Sequence, residues 1–438
     1  MRDIDSAVSF SPDGKRLSFM RGIAESGDLQ IHSANLDGGE DRVIGVFKEA
    51  RLSRAFLNGP AWSPDGKTIL APMLLDKGFS LSAIDLTDGR PSEFMVNPEF
   101  IGRPAWMQDG NSFVVPMLRG PRDDTRDRNA TQLWRVAFPG GETKRITNDL
   151  TDYGPVVDVT RDGRLLVGVE RHQEAHVWEV PGGQANKASQ ITSGGVLYAA
   201  VSVAPSGKLL LRKFNGKMEM MNWDGSERKT FQPEALSFMS ARFCGDRYII
   251  FDNHNAGTVQ LWRADSDGSH AVKLLDRASF PDCSPDGKWV LYGSEGRLYR
   301  IPIDGGTPKE VVPQKGGGVW GRISPDGNWI AYRYPEGEPT QERLGVGPAL
   351  GGPPVHVFSL PGDADALEWA PDGKGVQFLL TRKGATNVWE QKLKGGEPEQ
   401  VTNFAPGKIF DFAWTQDGKT LLLAKGEITR DVVMISFR

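Results

Sequence analysis

This sequence predicts an all-β protein made of repeated four-stranded units, and three observations predict it. First, a short apolar segment runs into Ser-Pro-Asp-Gly-Lys or a variant of it, and a second apolar segment follows, ten times along 438 residues. The clearest copies are FSPDGKRLSF from Phe10, WSPDGKTIL from Trp62, SPDGKWVLY from Ser284, ISPDGNWIAY from Ile323 and WAPDGKGVQF from Trp369. Looser copies are WMQDGNSFVV from Trp106, VTRDGRLLVG from Val159, VAPSGKLLLR from Val203, FCGDRYIIF from Phe243 and WTQDGKTLLL from Trp414. Second, the turns, at or near Asp13, Asp65, Asp109, Asp162, Ser206, Gly245, Asp286, Asp326, Asp372 and Asp417, recur every ~40–53 residues, the period of propeller blades. Third, a Gly-Gly or Asp-Gly turn follows each hairpin, as in PGGETKRIT, WDGSERKTF, DGGTPKEVV and KGGEPEQVT.

Each element has a local cause. Asp-Gly supplies the positive φ that a tight antiparallel turn needs, Pro pre-sets the residue before it, and the flanking Val, Ile, Leu, Phe and Trp favour strands. The first turn therefore joins strand A to strand B. A third strand, C, carries an aromatic near its centre (Trp134, Trp178, Trp262, Tyr299, Trp389) and meets strand D through the second turn. Four antiparallel strands per repeat make a β-propeller blade.

Ten repeats exceed the usual four to eight blades of a closed ring, so the spacing predicts two rings. Residues 1–192 are expected to give four blades, a ring that need not be complete, and residues 193–438 about six. After Trp414 and Leu421 only VVMISF remains, enough for strand C without a D, so an earlier segment is expected to complete the last blade.

Composition sets limits. With 52 Gly, 29 Pro and 39% hydrophobic residues the chain suits a turn-rich β core, and no sustained helical periodicity runs through it. The net charge of −4 and pI near 6.0 lack the basic excess that nucleic-acid binding needs. No apolar run is long enough for a membrane helix, so direct membrane insertion of this chain is not expected, and MRDIDSAVSF lacks the features of a signal peptide. Cys244 and Cys283 come from neighbouring repeats and read as small buried hydrophobes rather than a disulfide.

The repeats resemble the TolB-type propeller repeat, also found in the propellers of dipeptidyl-peptidase-IV-like and tricorn proteases. Four segments resemble, more narrowly, the ending of receptor-type Ser/Thr protein kinases of the Acidobacteria type: DIDSAVSFSPDGKRLSFMRG from Asp3, GGPPVHVFSLPG from Gly351, TNVWEQKLKGGEPEQVTNF from Thr386 and IFDFAWTQDGKTLLLAKGEITRDVVMISFR from Ile409. That resemblance implies further repeats, a membrane span and a kinase domain upstream, and an extracytoplasmic, periplasmic location. It also implies a sensor or scaffold role. The alternatives are a TolB-like periplasmic scaffold, the propeller of a winged-helix regulator, or that of a peptidase or hydrolase whose catalytic domain lies outside this chain.

Catalytic motifs do not assemble. There is no His-Arg-Asp loop, no Asp-Phe-Gly and no Gly-x-Ser-x-Gly elbow. Gly345-Val346-Gly347 lacks the third glycine of a nucleotide loop, and Gly316–Gly321 lacks the Lys of a P-loop. His172 and His176 have a spacing that aligns metal ligands on a helix, whereas their segment leads into the strand around Trp178. Asp158, Asp252 and Asp411 read as acceptors at blade edges. The sequence therefore predicts a protein that is not an enzyme and needs no cofactor or metal.

Binding remains, and function concentrates in variable loops on a constant scaffold. The expected contact is the B–C loop carrying Arg119, Arg122, Asp123, Asp124, Arg126, Asp127 and Arg128, whose arginines suit bidentate contacts. A protein, peptide or cell-envelope ligand is its expected partner. A second candidate is the segment from Tyr334 to Gly352.

Overall fold

The Ser-Pro-Asp-Gly turn closes on itself before any neighbour is involved. In the computed structural model, Asp13 Oδ1 accepts from Ser11 Oγ at 2.6 Å and from the Lys15 amide at 3.0 Å. The Arg16 amide donates to Ser11 Oγ at 2.9 Å, and the Gly14 amide to the Ser11 carbonyl at 2.9 Å. Gly14 stands at φ 68°, where a side chain would be strained. The same bonds recur at Ser63/Asp65, Ser284/Asp286 and Ser324/Asp326, and with a threonine at Thr160/Asp162 and Thr415/Asp417. The Ser or Thr hydroxyl, with the amide two residues on, holds these carboxyls below the usual range. The motif thus fixes hairpin register by itself.

The structure describes residues 4–436 apart from 24, 25, 27, 49–58, 76, 77, 98, 99, 119–129, 150, 215, 232–237, 254–258, 313–319 and 338–340. These residues form antiparallel sheets whose strands lie side by side in chain order, covering 9–47, 61–97, 198–231, 238–276, 279–310, 321–359 and 365–400. The sheet of residues 105–145 gains an extra strand, Phe100–Ile101, paired with Ser112–Leu118. No α-helix occurs among the described residues. The fold is all-β, a β-propeller.

Burial departs from simple alternation for a physical reason. Inner strands are covered on both faces by neighbouring sheets, so Ser112–Met117 and Tyr248–Asn253 are buried residue after residue. Outer D strands such as Lys309–Glu310 and Glu399–Gln400 are exposed. Most core clusters lie between two successive sheets. One joins Ile250 and Leu261 to Val290, Tyr292 and Ile301, and another joins Ala331, Leu344 and Val346 to Leu367, Val376 and Phe378.

The chain folds as two compact units, residues 1–172 with 429–438 (unit 1) and residues 173–428 (unit 2). Repeat spacing placed a division at 192/193. Two strands of 17 residues, Leu165–Pro181 and Thr420–Ser436, pass through the division. At ~3.3 Å per residue each is about three times as long as an ordinary strand. In unit 1, Asp152–Val159 pairs with the first half of Leu165–Pro181, and Val433 and Ile435 pack against Leu133, Tyr153 and Leu166. In unit 2, the second half of Leu165–Pro181 pairs with Ser189–Gln190, while Lys408–Trp414 pairs with the first half of Thr420–Ser436. Trp178 and Val180 pack with Phe412, Leu421 and Leu423, and the Gly182 amide donates to the Lys419 carbonyl at 2.7 Å. An earlier segment thus completes the last repeat, taking the C position as well as D, and VVMISF does not form that repeat's strand C.

The cysteine expectation is corrected. Cys244 and Cys283 form a disulfide with Cα atoms 5.3 Å apart, joining the A strands Phe238–Cys244 and Ser279–Cys283 of successive sheets in unit 2. Cys244 replaces the turn serine and Cys283 the preceding aromatic of the next repeat, positions that the fold brings face to face.

Candidate functional site

The A strands of unit 2 converge on a cavity of ≈430 Å³ whose rim is made by the turns, including Ser284, Pro285, Ser324, Pro325, Pro371 and Thr415. Two residues before the first turn residue, successive repeats carry Ser202, Arg242, Asp282, Arg322, Glu368 and Ala413. All of these except Arg322 line the cavity. Four of them form an alternating ring of charge. Arg242 Nη2 donates to Glu368 Oε1, the Arg322 Nε donates to the same oxygen at 3.0 Å, and Arg242 Nε lies 3.8 Å from Asp282 Oδ1.

Backbone bonds between repeats hold the ring in place. Ser202 Oγ accepts the Phe243 amide at 3.1 Å, and Asp282 Oδ2 accepts the Ile323 amide at 2.8 Å. Asp411 Oδ2 accepts the Val201 amide at 3.1 Å. The Trp369 indole N–H donates to the Arg322 carbonyl at 2.9 Å, and the Arg322 guanidinium lies 5.4 Å from the Trp320 ring centre. Asp282 and Arg322 are 8% and 5% exposed, so their mutual neutralisation matters energetically.

Burial raises the Asp282 carboxyl against the pull of Arg322 and Arg242. Burial also pushes Asp411 up to about 6, with Arg242 opposing and Glu368 adding to the rise. For Arg242, burial works downward but Glu368, Asp282 and Asp411 outweigh it, so its guanidinium holds its proton more tightly than usual. Burial and the neighbouring Arg242 depress Arg322. The ring therefore presents both signs at one mouth, and its balance shifts as Asp411 ionises. No group of three or more metal-ligating side chains occurs among the described residues.

The seven loop residues Arg119, Arg122, Asp123, Asp124, Arg126, Asp127 and Arg128 lie outside the described residues. The second candidate loop is mostly strand: Trp329–Glu336 pairs with Gln341–Pro348 up to Glu336 opposite Gln341. Gly345 and Gly347 belong to that strand, and a Cβ at Gly345 would stand 2.7 Å from Tyr332 Cζ. His172 and His176 sit on the strand Leu165–Pro181, where His172 Nε2 lies 2.8 Å from Glu170 Oε1. Asp252 accepts the Ser240 and Phe280 amides at 2.8 and 3.0 Å, the edge-acceptor role read from sequence, as does Asp411. Asp158 accepts its neighbour's amide, Val159, at 2.8 Å.

The charged ring was missed by sequence reasoning. Its signal was present: a short A strand should be apolar where it turns inward, yet that position reads Ser, Arg, Asp, Arg and Glu in five successive repeats.

The repeated four-stranded sheets define the class of the chain, a β-propeller. No family model matches the chain. A segment of 136 residues is 31% identical to dipeptidyl-peptidase 5 of Porphyromonas gingivalis, covering 27% of this chain and 20% of that protein. The chain thus spans a fifth of the length of that relative. A putative TolB from Agrobacterium tumefaciens superposes with a TM-score of 0.48 at 17% identity, over 60% of this chain and all of that one. The tricorn protease does so with a TM-score of 0.34 at 12% identity, over 93% of this chain and 50% of that one.

These relatives correct one expectation. The sequence predicted a protein that is not an enzyme, because no catalytic set could be assembled from its motifs. The finding that overturns it is the matched segment, which lies in a protein named as a peptidase. A nucleophile need not lie within a propeller, so missing motifs in this chain do not exclude a link to catalysis.

Proposed function

We propose that this chain is the propeller portion of a peptidase-type hydrolase, and that the unit 2 funnel receives an extended peptide. The alternating ring of Arg242, Asp282, Arg322 and Glu368 carries the reading, because three of its members, Arg242, Asp282 and Glu368, bring both signs to the wall of a cavity. A peptide brings backbone carbonyls for Arg242 and amides or an ammonium for Asp282 and Glu368. The reading takes the A strands of unit 2 as one ring of six blades. The identity to dipeptidyl-peptidase 5 supports the peptidase class; none of the relatives above is a kinase, and a kinase-linked role has no comparable support.

An extracytoplasmic location belongs to the same proposal. A disulfide between blades persists in oxidising compartments, and no helix among the described residues is long and apolar enough to cross a membrane. The test is fluorescence anisotropy with a labelled unstructured peptide and the purified chain. Arg242→Gln should weaken binding about tenfold while Arg242→Lys retains part of it. Equal affinity for all three proteins refutes the funnel assignment, and flanking coding sequence without a hydrolase domain refutes the class.

A further inference from the structure

Unit 1 has a funnel of its own with a different chemistry. Its cavity of ≈480 Å³ is lined by Phe10, Trp62, Trp106, Arg103, Asp158 and Arg161. Phe10 is 63% exposed although it is aromatic. Arg103 is anchored at its backbone, where its amide donates to the Pro155 carbonyl at 2.8 Å and it bridges Val156 in parallel. Its side chain reaches across to the first repeat, where Nη2 meets the Val8 carbonyl at 3.4 Å.

That long bond is the only side-chain hydrogen bond of Arg103 among the described residues. Burial depresses its guanidinium, and the one charge acting against this is Asp158, which is exposed and not paired with it. In unit 2 the funnel arginines are closed by Glu368 and Asp282; here a half-buried cation has one long side-chain bond among the described residues. A guanidinium held away from water without a carboxylate is costly unless an anion completes it.

A second donor on the same wall lacks an acceptor. Trp106 and Trp369 give their indole N–H to the preceding repeat, at the Ala61 carbonyl (3.2 Å) and the Arg322 carbonyl (2.9 Å). Trp62 stands at the equivalent repeat position, yet its Nε1 is buried with no partner among the described residues. The Arg103 guanidinium and three aromatic side chains around one cavity call for an anionic acceptor on an apolar body.

We propose that the unit 1 funnel is a binding site for a carboxylate carried on an aromatic body, with Arg103 as its cation. Arg161 adds positive charge at the rim, and Asp158 repels ligands that carry two negative charges. The site is independent of the unit 2 funnel and of the peptide reading above.

The test is quenching of tryptophan fluorescence by phenylacetate, with phenylacetamide and phenethylamine as neutral and cationic controls. Phenylacetate should bind at least tenfold more tightly than phenylacetamide, and Arg103→Gln should remove that preference while Arg103→Lys keeps part of it. Arg242→Gln, in the other funnel, should leave it unchanged. A tripeptide ending in Phe, as free acid and as amide, separates two sources of the same chemistry: tighter binding of its acid than of phenylacetate identifies a chain end, weaker binding a free aromatic acid. Equal affinity for phenylacetate and phenylacetamide, or an acid preference that survives Arg103→Gln in a protein with an unchanged melt, overturns the proposal.

Discussion

Replacing Glu368 by Gln removes the carboxylate oxygen to which both Arg242 and Arg322 donate in the unit 2 funnel. The volume is kept, but two guanidiniums whose side chains are 15% and 6% exposed then share a neutral amide. Breaking a buried ion pair costs about 3–5 kcal/mol. Arg242 retains Asp282 at 3.8 Å and the cavity admits water, so about 2–4 kcal/mol is expected here. For a unit of this size that corresponds to a fall in Tm of about 5–15 °C. Calorimetry at pH 7.5, repeated at high salt, measures it, and the loss should persist because buried pairs are weakly screened. Adding Arg322→Gln should recover part of the loss by removing the stranded cation. A fall below about 1 kcal/mol would show that the ring behaves as exposed surface pairs and would refute the reasoning.

Reduction of Cys244–Cys283, which closes a loop of sequence separation 39, should cost about 3–4 kcal/mol from restored chain entropy. Urea unfolding with and without a dithiol reads it, and an unchanged midpoint would show that the A strands hold the two repeats without the bond. Gly66→Val should cost about 1–3 kcal/mol, since Gly66 stands at φ 73°, strained for a side chain even though a Cβ there would meet Pro12 Cδ only at 3.9 Å; the melt should fall while peptide affinity in the other unit stays the same. Asp411 titrates near 6 in the fold and near 3.8 as an ordinary carboxyl. The folded state therefore takes up a proton between those values, and stability is fullest below them and falls as pH rises through about 6. The loss is at most about 3 kcal/mol and less where funnel water reaches the carboxyl. Asp411→Asn should flatten that part of the difference between melts at pH 4 and pH 7, and an identical pH slope in both proteins would remove Asp411 as its source.

The hairpins were legible because their chemistry is local. Ser11, Asp13 and Gly14 satisfy one another within four residues, so one copy announces the turn and ten copies announce the period. The charged ring was not legible in the same way, since Arg242, Asp282, Arg322 and Glu368 are single residues in separate repeats, brought together only when the A strands gather round a cavity. The disulfide hid for the same reason. The bonds from Phe243 to Ser202 and from Trp369 to Arg322 show the rule that predicts it: turn-proximal positions of successive A strands touch. The division of the chain was hidden because unbroken strands, Leu165–Pro181 and Thr420–Ser436, carry it through regular β structure instead of a linker.

Position within the repeat, more than position in the chain, decides what each funnel can bind. Two residues before the turn, unit 1 carries Ser9, Ala61, Ala105 and Asp158, where unit 2 carries Ser202, Arg242, Asp282, Arg322, Glu368 and Ala413. Three small, buried residues, Ser9, Ala61 and Ala105, bring no charge to the unit 1 cavity. That leaves room for Arg103, two residues further from its turn, to cross toward Val8. In unit 2 the same positions are filled by charges that neutralise one another, so a ligand there must compete with existing pairs. One scaffold therefore yields two funnels of opposite demand: in the proposed readings the unit 2 ring exchanges partners with a ligand bearing both signs, whereas the unit 1 arginine, with one long side-chain bond among the described residues, gains an anion. The energetic consequence separates them, because an anion in unit 1 meets a half-buried cation that has no ion pair among the described residues and a peptide in unit 2 must first displace an ion pair.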